Sequence, residues 1–261
     1  MLSIFAGRRT RSSRFRAAIF TVTLGCQLVA ATAFAQDKPS EKDIDPFKPI
    51  NRPIYAFNDF TDKYLLRPLG KGYNFILPRP IRTGIGNFFD NISYPVTIVN
   101  SALQGKGAQT VSDINRFLFN STFGLLGFID LASTRGFPRH DEDFGQTFAK
   151  WGIPSGPYIV IPLLGPSTFR DGIGILGNVR VNPLIQYDNS SVRDKLLILW
   201  AIETRAALIG PDQAVQDAFD PYLFIRDAYL QNRNFLINDS ATPVDEYFED
   251  FEDFEDFEED F

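Results

Sequence analysis

Thiols are nearly absent: Cys26 is the one cysteine in 261 residues. It lies in the apolar stretch that opens the chain, so the remainder can form neither a disulfide framework nor a Cys-based zinc site. Histidine is as scarce. His140, in "RHDEDFGQT", stands alone, which leaves a nucleophilic triad a single possible base. Beside so many acids it could polarise a water or hold a metal. The commoner role for such a residue is a loop histidine with hydrogen-bond partners, and no catalytic role is assigned to it. No G-x-S-x-G elbow, H-E-x-x-H helix, P-loop or paired-cysteine motif occurs. "GIGILG" at residues 172–177 has the G-x-G-x-x-G spacing but lacks the βαβ setting of a dinucleotide loop, and it is set aside. The expectation is a protein with no catalytic residues, no metal and no cofactor.

A basic excess is also missing. The chain carries 26 basic and 32 acidic side chains. Five arginines and no acids fall in residues 1–35, and eleven acids crowd residues 245–261, so residues 36–244 balance at 21 against 21. Such a body offers no electrostatic footprint for nucleic acid. Beyond the N-terminal stretch, no segment supplies the roughly 20 apolar residues a spanning helix needs.

Phenylalanine, by contrast, is abundant at 26 residues. It is a large apolar side chain without a hydrogen-bonding tip, and such an excess points to a thick aromatic core or to apolar faces meant for lipid. The first 35 residues read as an export signal, an arginine-rich start followed by "AAIFTVTLGCQLVAATAFA". Ala33-Phe34-Ala35 is an A-x-A site that would start the mature chain at Gln36. "TLGC" is the other processing candidate, a lipobox with Thr23 where leucine is usual, in which Cys26 would be lipidated. Residues 36–44 read as a polar leader. Residues 45–238 read as one mainly α domain of short amphipathic helices divided by Pro and Gly. Ile54, Phe57, Phe60 or Thr61, Tyr64 and Leu65 share one helical face. "IRTGIGNFFDNI" is a short piece entered from Pro78 and Pro80, and "AQTVSDINRFLFNSTFGLLGFIDLAS" is the longest region. Residues 136–185 read as mostly loop. Helix returns at "SVRDKLLILWAIETRAAL", with Ser190 or Ser191 as N-cap, and at "DPYLFIRDAYLQNRNFLI", with Asp220 as cap and Pro221 at the first position.

Three features suggest chemistry. "YIVIPLLG" is too short to span a bilayer and contains Pro162. It reads either as a buried strand or loop, or as a segment dipping into a membrane interface. Arg52, Arg67, Arg82, Arg116 and Arg170 sit beside aromatic or proline-rich sequence. A guanidinium can fork onto phosphate oxygens while its stem packs on apolar surface. It can equally pair with a nearby acid, Arg170 with Asp171 or Arg116 with Asp113. The stretch "EYFEDFEDFEDFEEDF" repeats aromatic and acids every three residues, a period that drifts around a helix, and residues 239–261 read as a disordered, acidic, Phe-rich tail.

Taken together, "DPFKPINRPIYAFNDF", "YLLRPLGKGY", "PRPIRTGIGNFFDNISYPVTIVNSALQGK", "RFLFNSTFGLLGFIDLAS", "RHDEDFGQTFAKWGIPSGPYIVIPLLGPSTFRDGIG" and "IETRAAL…DPYLFIRDAYLQ" follow in order the pattern of the MlaA/VacJ family. The chain resembles that family over residues 45–238. The resemblance implies a flat helical disc with a central channel, embedded in the inner leaflet of a Gram-negative outer membrane. Through it, phospholipids misplaced in the outer leaflet pass to a periplasmic carrier of the MlaC type, which maintains lipid asymmetry. Trimeric porin is an implied partner. An outer-membrane scaffold that binds porin without moving lipid is the alternative. The implied lipid-channel or head-group contacts are Asn51, Arg52, Phe57, Asn58, Arg67, Arg82, Arg116, Arg170 and Asp171. The implied membrane-embedded apolar loop is Tyr158, Ile159, Val160, Ile161, Pro162, Leu163 and Leu164. No nucleic acid and no cofactor is implied.

Overall fold

The computed structural model describes residues 45–239. The export signal, Cys26, the leader and the Phe-Glu-Asp tail lie outside the described residues. Helix α1, Lys48–Thr61, carries Pro49 in its first turn, where the missing N–H has no intrahelical partner to lose. A π-helical turn, Asp62–Leu66, joins it to α2, Arg67–Ile76. Helix α3 then runs from Arg79 to Leu103, 25 residues, straight through Pro95. This corrects the expectation of a short piece ending near Ile92. A proline in a helix removes one hydrogen bond, but α3 packs along both α4, Gly107–Thr122, and the later helix over Ser190–Ala207. Its inner face, including Phe89, Asn91, Tyr94, Thr97 and Asn100, is buried against them.

The segment read as mostly loop is more ordered than its glycines suggest. It contains α5, Phe144–Lys150, an antiparallel hairpin of β1, Tyr158–Ile161, and β2, Gly165–Thr168, and α6, Phe169–Val181. The N-cap side chains of Asp143 and Thr168 start the two helices by accepting from Gln146 and Asp171 amides. Gly174 and Gly177 of "GIGILG" are points of close approach between α5 and α6, while Gly172 faces the hairpin. A Cβ on Gly174 would stand 2.6 Å from the Gly145 nitrogen, and one on Gly177 2.6 Å from the Phe144 ring. Helix α7, Ser190–Ala207, is capped by Asn189 rather than by either serine. A short α8, Asp212–Asp217, leads to α9, Pro221–Ile237, whose Asp220 cap accepts from the Leu223 amide, as its sequence predicts.

Tyr158, Val160 and Tyr222 form a buried aromatic-aliphatic core, packed by Ile54, Tyr55, Leu223, Tyr229 and Leu230. Elsewhere Phe89 stacks on Trp200 with ring centroids 6.0 Å apart. The expected membrane-embedded loop over Tyr158–Leu164 is therefore divided. Tyr158 and Val160 alternate inward, Ile159 and Ile161 are half-buried, and only Pro162, Leu163 and Leu164 at the tip are exposed. Alternation along a strand sends successive side chains to opposite faces, so four residues of β1 cannot all face lipid. Among the described residues, no helix is long and apolar enough to cross a membrane.

Candidate functional site

Polarity is inverted relative to a protein built for water. Among the described residues, nineteen buried side chains are polar or charged and ten are apolar, while thirty-one large apolar residues are exposed. Scattered exposed apolar residues are ordinary, but a buried set richer in polar than in apolar groups is not. Buried polar groups must be hydrogen-bonded to be tolerated, and here they form connected networks.

The first network ties α5, α6 and α9. The Asp171 carboxylate accepts from Arg170 Nε at 3.1 Å, Arg233 Nε at 3.1 Å, Arg233 Nη2 at 3.0 Å and the Tyr229 hydroxyl at 2.8 Å. Arg233 also donates to Asp143 at 2.6 and 3.1 Å. Burial alone would raise the Asp171 carboxyl; the charge of Arg233, with the hydrogen bonds, holds it below the usual carboxylate range. The second joins α3, α4 and the loop beyond. Fully buried Asp113 accepts from Tyr94 at 3.0 Å and Ser101 at 2.8 Å, and lies 2.7 Å from His140 Nδ1. Arg116 turns the other way, to Asp130 at 2.5 Å, Ser133 Oγ at 2.8 Å and the Phe137 carbonyl at 2.7 Å. Despite partial burial, which raises it, the Asp130 carboxyl is held down to about 2 by donors from Ser133, Asn120 and Arg116.

A third network fixes the hairpin to α1. Asn51 donates to Asp45 at 2.8 Å and to the Tyr158 carbonyl at 3.1 Å, and accepts from the Val160 amide at 2.9 Å. Asn58 donates to the Ile161 carbonyl at 3.0 Å and accepts from the Leu163 amide at 2.8 Å. A fourth surrounds the π turn, where Arg205 donates to Asp62 at 2.5 and 3.0 Å and to Asp212 at 2.8 Å.

The residues expected to meet lipid do not converge. Arg116 and Arg170 are buried and committed to internal acceptors, Arg116 to Asp130 instead of the expected Asp113. Arg52 pairs with Asp220 over the Tyr222 ring, and Arg67 pairs with Asp62 at 3.2 Å. Asn51 and Asn58 hold the hairpin backbone. Phe57 is exposed with Phe60, Tyr64 and Leu65 on the outer face of α1 and the π turn. Arg82 differs. It donates to Asn74 at 2.6 Å, yet its buried Nε and the nearby buried Tyr73 hydroxyl have no hydrogen-bond partner among the described residues. Sequence reading missed Arg233, Asp143 and Tyr229. The seven-residue spacing of Arg226 and Arg233 along one helical face was the available signal, since both are buried.

Two turns carry the apolar rim further. Leu125-Leu126-Gly127 and Leu163-Leu164-Gly165 share a sequence and a glycine of positive φ, although Leu164, unlike Leu126, keeps an ordinary negative φ. Leu125, Leu126 and Leu163 hold φ at 54°, 58° and 64°, and Gly127 and Gly165 at 95° and 86°. Left-handed backbone costs about 1–2 kcal/mol for a residue with a Cβ. All four leucines are more than 60% exposed. Each turn is clamped by an asparagine amide from a neighbouring helix. Asn91 donates to the Leu126 carbonyl at 3.2 Å, and Asn58 grips the other turn.

Known proteins share this chain's pattern. Residues 43–236 match the MlaA lipoprotein family. The Escherichia coli K12 protein "Intermembrane phospholipid transport system lipoprotein MlaA" is 33% identical over 199 residues, covering 74% of this chain and 78% of that protein. The Haemophilus influenzae protein of the same name is 33% identical, covering 75% and 80%. An uncharacterised Rickettsia typhi protein, RT0044, is 34% identical over 191 residues, covering 72% and 76%. A solved structure described as "Structural basis for maintenance of bacterial outer membrane lipid asymmetry" superposes with a TM-score of 0.66 at 32% identity, covering 74% of this chain and 98% of that one. The mainly helical fold, the ordered motifs and this similarity agree: the chain belongs to the MlaA lipoprotein family.

Proposed function

We propose that this protein moves phospholipid across the periplasmic half of the outer membrane, removing molecules misplaced in the outer leaflet and passing them to a soluble carrier of the MlaC type. The observation that carries this reading is the inverted polarity. A body with exposed apolar side chains and a hydrogen-bonded polar interior suits a protein seated in one leaflet. A charged head group costs several kcal/mol to bring to the bilayer centre. A polar route through the protein lowers that barrier while acyl chains remain in lipid. Of the arginines considered, Arg82 is the candidate head-group contact, because its buried Nε and the Tyr73 hydroxyl are donors without acceptors. The disc would hold its place through the outer face of α1 and α2 and the two leucine turns, beside a trimeric porin. Transfer breaks no covalent bond, so the protein acts without a catalytic residue or cofactor.

The test is outer-leaflet phospholipid in cells lacking the gene, with and without the wild-type gene restored. Accumulation that restoration reverses is the expected result. Normal asymmetry in cells that hold no second copy would overturn the proposal.

A further inference from the structure

One groove borders the second network at Asp130. It has a volume of about 530 Å³ and lies between the first half of α3 and the segment returning from the Leu125-Leu126 turn. Volumes of this size are those of small-molecule sites. Arg79, Thr83 and Asn87 stand four residues apart, on one face of α3, and form one wall. Phe128, Ile129 and Asp130 form the other. Gly84 lets the walls meet at the base, since a Cβ there would stand 2.3 Å from the Phe128 ring.

The charges in the groove do not cancel. Asp130 is neutralised from behind by Arg116, with Ser133 and Asn120 filling its remaining lone pairs. Arg79 is exposed, and among the described residues no side-chain hydrogen bond or ion pair engages it, while Asp130 is committed to Arg116. One uncompensated guanidinium therefore sits at one end of a groove whose far wall is Phe128 and Ile129. The apolar side is continuous with the rim. Leu125 and Leu126 project outward immediately before Phe128, and Ile129 is itself 46% exposed. On Arg79's side, Phe75 is 92% and Ile76 74% exposed at the end of α2. Cation, hydrogen-bonding stripe and apolar wall, flanked on both sides by side chains suited to lipid, match one ligand chemistry: a phosphodiester with acyl chains attached.

From this geometry we infer that the groove between α3 and Phe128–Asp130 is a phospholipid-binding site, in which Arg79 takes the phosphate, Thr83 and Asn87 hydrogen-bond the glycerol or head group, and the acyl chains leave over Ile129 and the Leu125-Leu126 turn. This inference rests on the proposed lipid-transport function and adds an entry site to it.

The experiment uses the full chain in nanodiscs of phosphatidylethanolamine and phosphatidylglycerol, with a photo-crosslinking amino acid at Asn87 or, as an exposed polar control, at Asp188. Lipid adducts are read by mass spectrometry. The Asn87 site should give a phospholipid adduct. Arg79→Glu should reduce that adduct about tenfold, the scale of losing charge-assisted hydrogen bonds, and Arg79→Lys should retain most of it. Arg79 is exposed and unpaired, so an unchanged thermal melt is expected for both variants. A wild-type protein that copurifies with phospholipid but gives no Asn87 adduct, or an adduct indifferent to Arg79→Glu, overturns the groove and leaves the transport reading intact. A wild-type protein that neither carries phospholipid nor restores asymmetry overturns both.

Discussion

Replacing Asp171 by asparagine tests whether the polar interior is structural. The side chain keeps its shape but loses its charge, while Arg170 and Arg233 remain buried beside it. Removing one partner of a buried ion pair costs about 3–5 kcal/mol, because the charge left behind is uncompensated. Arg233 retains Asp143 at 2.6 Å, and an amide oxygen still accepts a hydrogen bond, so the lower end, about 3 kcal/mol, is expected. For a domain of this size each kcal/mol shifts the melting midpoint by about 2–4 °C, giving a drop of about 6–12 °C. Near-UV circular dichroism of the detergent-solubilised protein reads it. Tyr229→Phe, which removes one neutral donor from the same carboxylate, should cost only about 1 kcal/mol. The pH dependence carries a sign. The folded-state pKa of Asp171 is depressed, so its stabilisation is present above the unfolded carboxylate value and fades as pH falls through the folded one. The gap between wild type and Asp171→Asn should therefore narrow in acid. A gap under about 1 kcal/mol at neutral pH would refute the argument that this carboxylate holds α5, α6 and α9 together. Arg170→Glu would bring a second carboxylate against Asp171, so loss of transport in that variant is expected to report misfolding rather than a missing head-group contact.

Tyr73→Phe removes a buried hydroxyl without a partner and should leave stability unchanged or raise it by up to about 1 kcal/mol; a clear loss in denaturant titration would mean that the hydroxyl is satisfied. The Asp130 carboxyl is held down to about 2, well below an ordinary aspartate, by donors from Ser133, Asn120 and Arg116. Its contribution, about 1 kcal/mol once solvent screening is allowed for, should be complete above pH ~4 and decline toward pH ~2, so an Asp130→Asn gap that does not change with pH would contradict the pairing. Gly127→Ala combines a φ of 95° with a Cβ placed 2.2 Å from Asn91 Cβ. It should destabilise by about 2–4 kcal/mol, and a neutral result in thermal unfolding would show that the turn relaxes. Leu163→Gly relieves left-handed strain and should be close to neutral for folding, while vesicle flotation should show weaker membrane binding, by up to about 2 kcal/mol for one leucine. Unchanged flotation would remove that turn from the membrane contact.

How much was legible follows the range of the interaction. Local chemistry read well. Asp220 and Pro221 opened α9 because a cap acts within one turn, and the adjacent Arg170 and Asp171 do pair. Long-range packing did not read. "IRTGIGNFFDNI" reads as a short piece, yet α3 continues through Pro95 to Leu103 because it is buried against neighbouring helices. "GIGILG" looked like loop because glycine lowers helix propensity, whereas here it buys approach between α5 and α6. Arg116 was matched to Asp113, its neighbour one turn back. Tertiary contacts instead turn Asp113 toward Tyr94 and His140, and Arg116 toward Asp130. The groove at Arg79 left no mark in the sequence, since nothing local says that an arginine lacks a partner.

The two Leu-Leu-Gly turns join these levels. Sequence reading expects glycine where φ is positive, and each turn does end on such a glycine. It also forces leucine into the same region, at three positions and at about 1–2 kcal/mol each. In water that strain gains nothing, because the leucines remain exposed. Asn58 and Asn91, each hydrogen-bonded to a turn backbone, keep it from relaxing. In lipid the balance reverses. Four leucine side chains leaving water contribute about 1.5–3 kcal/mol each at full burial, which exceeds the strain of three left-handed residues. Under the proposed seating in the membrane, turns that are unfavourable local structure in water become favourable in lipid, and Asn58 and Asn91 hold their backbone in that form.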